Sequence, residues 1–142
     1  MTDKQLRELY KSIQTIASVG ISSNDEKPSF GITLYLKEHG YRIIPVNPTA
    51  KEVHGEKAYP DLASIPDKVD VVQLFRRSED VPPFVEQAIQ MGAKVIWMQE
   101  GVSNPEAAQK AEAAGLQVMM DRCMRAEHIR LFGSSLFGLF RR

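Results

Sequence analysis

The run Ile16-Ala17-Ser18-Val19-Gly20-Ile21-Ser22 constrains this chain more than any other stretch. It is short, apolar and rich in β-branched residues, and it ends in Gly-Ile-Ser. The polar loop Ser23-Asn24-Asp25-Glu26-Lys27-Pro28-Ser29 follows and opens a helical pattern. Strand, turn of small residues, helix: this unit sets phosphate groups against a helix N-terminus in α/β nucleotide-binding folds.

The rest of the chain repeats the alternation. Residues 3–13 place Leu6, Leu9, Tyr10 and Ile13 at helical spacing, which predicts an amphipathic helix on the outside of the domain. The first strand is expected over Thr15 to Ile21. A helix follows from Phe30 to His39, with Ser29 as N-cap and Gly40 just past its end. Its face Ile32, Tyr35, Leu36 and His39 should pack on the sheet. Tyr41 to Val46 reads as a second strand, weakly paired or bulged on one side because Pro45 lacks a donor. Lys57-Ala58-Tyr59 suggests a short edge strand and Leu62 to Ile65 a single helical turn. Val69 to Phe75, Lys94 to Met98 and Leu116 to Met120 read as buried parallel strands. Helices are expected over Val81 to Met91, capped by Ser78 or Asp80, then Ala107 to Ala114 after Ser103-Asn104-Pro105-Glu106, then Met124 to Leu131.

Short connections between alternating strands and helices predict an α/β, three-layer, Rossmann-like doubly wound parallel sheet. Its strand order is 3-2-1-4-5-6 with the short strand included, or 2-1-3-4-5 without it. At 142 residues the chain fits a single domain, with a core over 10–131 and a tail over 132–142. Zero formal net charge excludes broad attraction to nucleic acid or anionic membrane. No stretch reaches the length of a membrane span. One cysteine allows no intrachain disulfide, and no signal peptide opens the chain, so a cytoplasmic location is expected.

Ligands of such sheets bind at the carboxyl ends of the strands, near the reversal of strand order. Five loops qualify: Gly20 to Ser29, Asn47-Pro48, Phe75 to Ser78, Gln99-Glu100-Gly101 and Asp121-Arg122-Cys123. They hold small residues, amides and arginines, with few acid–base groups. A nicotinamide dinucleotide site is disfavoured. Ser22 stands where the second fingerprint glycine belongs, Gly31 comes too late, and the second strand ends in Asn47 and not in a carboxylate.

Val19-Gly20-Ile21-Ser22, Lys27-Pro28-Ser29, His39 to Pro48, Val69-Asp70-Val71-Val72, Phe75-Arg76-Arg77-Ser78, Trp97-Met98-Gln99 and Asp121-Arg122-Cys123 together resemble one family. It is the small bacterial CoA-binding proteins, single-domain relatives of the N-terminal domain of the succinyl-CoA synthetase α subunit. The resemblance covers roughly residues 10–131. It implies a Rossmann-like fold that binds coenzyme A. It implies no catalytic residue, because the synthetase's phosphohistidine belongs to a further domain.

The residue chemistry fits that ligand. Coenzyme A carries a diphosphate and a 3′-phosphate, and Lys27, Arg76, Arg77 and Arg122 lie in the candidate loops; guanidinium suits phosphate. Backbone N–H groups around Ser22 and Ser29 suit the diphosphate. Asn47 and Gln99 suit ribose or pantetheine, and Pro48, Phe75 and Val81 are expected to flank the adenine. Gly20, Ile21, Gly101 and Cys123 complete the candidate contacts. Each also has a structural reading: turn former, helix cap, surface ion pair or core residue. The expected function is non-catalytic binding of coenzyme A or an acyl-CoA. The rivals are a CoA-thiol or acyl-CoA enzyme using Cys123, and an interaction protein that senses CoA. No residues have metal-site spacing. The apolar tail suggests a homo-oligomer contact.

Overall fold

The computed structural model describes residues 1–133. Five parallel strands form one sheet: β1 (Thr15–Val19), β2 (Arg42–Val46), β5 (Val71–Leu74), β6 (Val95–Met98) and β7 (Gln117–Met119), in the order β2-β1-β5-β6-β7. Counting sheet strands alone, this is the 2-1-3-4-5 alternative. The chain winds from β1 outward to β2, then crosses to β5 on the other side. The carboxyl ends of β1 and β5 therefore flank the topological switch point.

The third short strand is corrected. β3 (Glu52–Val53) and β4 (Glu56–Lys57) pair with each other as an antiparallel hairpin outside the main sheet. Only Tyr59 bridges to the sheet, in parallel with Val46. Pro45 causes no bulge, since β1 and β2 keep an unbroken register through Ser18↔Pro45. Its outer side carries the missing donor: the Pro45 carbonyl accepts from Tyr59 N at 2.9 Å, and a strand residue's N–H points to the same side as its carbonyl.

Strand side chains alternate between two apolar layers, as burial on both faces requires. Ala17, Val19, Ile44, Val72, Leu74, Ile96 and Met98 face α3 (Val81–Gln90) and α4 (Pro105–Ala113). Ile16, Ile43, Val71, Val95 and Trp97 face α1 (Asp3–Ser12), α2 (Pro28–Glu38) and α5 (Met124–Phe132). The helix starts are chemically distinct. Thr2 and Gln5 form a reciprocal capping box on α1. Asn104 accepts from Ala107 N at 3.0 Å and caps α4. At α3 neither expected cap acts: the Asp80 side chain makes no capping bond, and Ser78 Oγ accepts from Ser103 N instead. The expected edge of the first strand also moves, because Gly20 leaves extended backbone with φ +84°. The tail expectation falls largely on residues 134–142, outside the described residues; Phe132 closes α5 and packs on the core.

Asp70 ties the strands together at their amino ends. Its Oδ2 accepts from Gln14 N at 2.8 Å and Thr15 N at 3.0 Å. Burial pushes this carboxyl up, but the two N–H donors, Lys94 and Lys68 outweigh it and hold it below the usual value. A lowered folded value stabilises the fold above the unfolded carboxyl range, near pH 4, and that stability is lost as pH falls through the folded value. Asp70→Ala should cost roughly 2 kcal/mol at pH 7. Urea midpoints of wild type and variant should converge as the pH is taken below about 4; an equal gap at both pH values would refute the assignment.

Candidate functional site

At the switch point Gly20, Ser22, Lys27, Pro28, Ser29 and Phe75 line a cleft of about 370 Å³. The N-terminal turn of α2 forms one wall. That turn was expected to be capped by Ser29, and the structure corrects this. α2 begins at Pro28, two residues before the expected Phe30, with Lys27 at the N-cap and no side-chain cap bond. Proline is tolerated there because the first-turn N–H groups have no intrahelical partner. Ser29 is buried inside the turn, and its Oγ accepts from Ser22 N at 2.9 Å. The hydroxyl thus ties the loop to the helix and leaves the helix end uncapped. No acidic side chain lies in this first turn, so within its own turn the positive end of the helix dipole meets no carboxylate.

The opposite wall comes from the carboxyl ends of β1 and β5. Gly20 N donates to Val46 O at 3.1 Å and fixes the turn. A Cβ built on Gly20 would stand 3.0 Å from Arg76 Cδ and 3.4 Å from the Phe75 carbonyl carbon. Glycine is therefore required by its φ, and the flexible Arg76 stem lies across it. The Arg76 guanidinium pairs with Asp80 at 3.3 Å and stays 44% exposed. Such an exposed pair is weak, which leaves the cation available to an anion in the cleft. Lys27 is exposed on the other rim.

The β3–β4 hairpin braces α2 from outside. Thr33 Oγ1 donates to Ser29 O at 2.7 Å and lies 2.8 Å from His54 Nε2. The Phe30 and His54 rings stand 4.4 Å apart. Burial and the nearby Lys37 hold the His54 imidazole below its usual value.

Other expected contacts lie elsewhere. Val81 is fully buried in the α3 layer, packed against the sheet. The Ile21 side chain is likewise fully buried; its carbonyl accepts from Asn47 Nδ2 at 2.8 Å. Asn47 Oδ1 accepts from Thr49 N and Ala50 N, both at 2.8 Å, so the amide shapes its own loop, with Pro48 exposed beside it. Gln99 is only 4% exposed, and its Oε1 accepts from Gln73 Nε2 at 3.2 Å and Met124 N at 3.1 Å. Gly101 N donates to Asp121 Oδ1 at 2.7 Å. Arg77 is 75% exposed and pairs with Glu79 and Asp80. Arg122 pairs with Glu127. Cys123 is half-buried at the N-cap of α5 and makes no capping bond.

Sequence reasoning placed Pro28 only within a motif, although a proline just inside a helix start is a legible signal. It also missed the buried network in which Ser18 Oγ donates to Gln73 Oε1 at 2.7 Å. Both residues are polar breaks in otherwise apolar strands, and they stand opposite each other in register.

Known proteins share this architecture. A family model described as CoA binding domain matches residues 14–129. The uncharacterized protein YneT of Bacillus subtilis is 37% identical over 124 residues, covering 87% of this chain and 92% of that protein. The ADP-forming acetate–CoA ligase II of Archaeoglobus fulgidus is 30% identical over 141 residues. That match spans 97% of this chain and 20% of the ligase, so the chain corresponds to one portion of a much larger protein. Among solved structures, a hypothetical protein from Pyrococcus horikoshii superposes with a TM-score of 0.90 at 46% identity, covering 94% of each chain. With the family model spanning most of the sheet and its helices, this chain belongs to the CoA binding domain family.

Proposed function

We propose that this chain, acting as a single domain in the cytoplasm, binds coenzyme A or an acyl-CoA in the cleft at the switch point and performs no chemistry on it. The observation that carries the reading is the uncapped α2 N-terminus. It opens on a cleft lined by Lys27, with Arg76 laid across Gly20 beside it, in a fold whose relatives include CoA ligases. An uncapped helix end with flanking cations is matched to the diphosphate. Phe75 offers an apolar wall to the rest of the ligand.

The cysteine-enzyme alternative has less support. A reactive thiol needs a base or cation that holds it as thiolate. Among the described residues no histidine bonds the Cys123 thiol, and His128 Nδ1 is 2.7 Å from Tyr35 Oη. Among the described residues, too, no group of three histidine, cysteine or carboxylate side chains is arranged to hold a metal. No helix of the described residues is long and apolar enough to cross a membrane.

The test is thermal unfolding with added ligand. A ligand that binds only the folded state adds about 2.7 kcal/mol at a hundredfold excess over Kd. Coenzyme A should raise the melting temperature by several degrees, and NAD should not, because Asn47 cannot replace the carboxylate that holds an adenine ribose diol. Arg76→Ala should weaken coenzyme A about ten- to a hundredfold while barely moving the unliganded melting temperature. Equal shifts with both nucleotides, or none with either, would refute the reading.

A further inference from the structure

Arg125 is the residue with no evident occupation. Every other described arginine has a protein partner: Arg7 bonds the Leu131 carbonyl, Arg42 pairs with Asp67, Arg76 and Arg77 with Asp80, Arg122 with Glu127, and Arg130 with Asp3 and Glu127. Among the described residues Arg125 makes no hydrogen bond or ion pair, although it is half-buried. A guanidinium with no protein partner is free to take an anion through charged hydrogen bonds.

Its position supplies the reason. Arg125 is the second residue of α5 and lies against α2. A Cβ built on Gly31 would meet Arg125 Nη1 at 3.3 Å, with no other atom within 4 Å beyond its immediate chain neighbours and its own helix. Gly31 sits inside α2, where its φ is not positive and glycine costs roughly 1 kcal/mol relative to alanine. The backbone does not ask for glycine there; the guanidinium occupies the space a side chain would take. Residues three apart share a helix face, so Gly31 lies one turn behind Pro28, which lines the cleft. Cβ vectors tilt toward the helix N-terminus. Arg125 is not itself among the residues that line the cleft; its guanidinium stands over α2 one turn away from it.

We propose that Arg125 is a ligand-binding residue, its guanidinium held in the groove over Gly31 to take oxygens of the diphosphate bound at the α2 N-terminus. This rests on the coenzyme A reading above. Gly31 and Arg125 then form one device: a small residue on α2 admits a cation from α5, and the cation counters charge that the helix end meets with dipoles alone. The same anion joins α2 to α5, so ligand binding should tie these two helices together.

Titration calorimetry of the full chain with coenzyme A and with dephospho-coenzyme A tests this. Arg125→Met keeps the stem and removes the charge. It should weaken both ligands by the same factor, about ten- to a hundredfold, without lowering the unliganded melting temperature. Gly31→Leu keeps the arginine but fills its groove, and should repeat the loss while the melting temperature holds or rises. Unchanged affinity in both variants overturns the proposal and leaves the coenzyme A reading standing. A loss confined to coenzyme A overturns it in favour of the 3′-phosphate. A wild-type chain that binds neither ligand overturns the underlying reading as well.

Discussion

Gly20→Val should abolish measurable coenzyme A binding, with an affinity loss of at least about a hundredfold, and should destabilise the unliganded protein by about 2–4 kcal/mol. Two separate costs produce this. The backbone at Gly20 holds φ +84°, a region that a β-branched residue enters only with strain of order 1–3 kcal/mol. The new Cβ would also stand 3.0 Å from Arg76 Cδ and 3.4 Å from the Phe75 carbonyl carbon. The Arg76 stem is flexible and yields. The Phe75 backbone does not, because Phe75 N is bonded to Val19 O at 2.9 Å. Arg76 is therefore driven off the turn, and the valine methyls project at the floor of the cleft. Calorimetry with coenzyme A reads the affinity, and urea unfolding reads the stability. Gly20→Ala separates the costs, since it carries the φ penalty with less bulk and should keep part of the binding. A valine variant that binds like wild type would remove Gly20, and the turn it makes, from the site.

The fold was legible because its signals are redundant. Apolar strands, helical faces and short connections agree along the chain, so the error in Ser29 as N-cap shifted a boundary and left the element intact. Strand order was ambiguous at one place only, Lys57 to Tyr59, and the hairpin at Glu52–Lys57 decided it by pairing internally. The site was less legible, for a geometric reason. Sequence identifies the loops at the carboxyl edge but not which way each side chain turns. Val81 and Gln99 adjoin the right loops and point inward, Val81 into the α3 layer and Gln99 onto Gln73 and Met124 N. Asn47 spends its amide on Ile21, Thr49 and Ala50. Gly20, Ser22, Lys27, Ser29 and Phe75 come together because four of them lie within ten residues of one strand–loop–helix unit, and Phe75 ends the strand paired beside it. Arg125 carried no sequence signal: it sits in an ordinary amphipathic helix, and only its contact with Gly31 sets it apart.

Trp97→Ala should lower the melting temperature by about 10–20 °C, through a loss of about 3–5 kcal/mol. Trp97 is fully buried on β6, in register with Gln73 and Met119. Its ring packs 5.7 Å from Tyr10 of α1, whose hydroxyl donates to Met124 O at 2.7 Å. Burial pushes the Tyr10 phenol far up, so it stays a neutral donor across the working pH range. Trp97 Nε1 donates to Arg122 O at 2.8 Å and holds the loop that leads into α5. Truncation opens a cavity between α1, α5 and the sheet and frees that loop at once. The helix that carries Arg125 then loses its support, so coenzyme A should weaken alongside stability. Trp97→Phe discriminates the parts: it keeps most of the volume but leaves the Arg122 carbonyl without its donor, a loss of about 1 kcal/mol beyond the smaller packing change. Circular dichroism is the proper probe, since the chain has one tryptophan and both variants remove it. A Trp97→Ala protein melting within a few degrees of wild type would show that the α1–α5 layer repacks around the cavity and that this ring does not organise it.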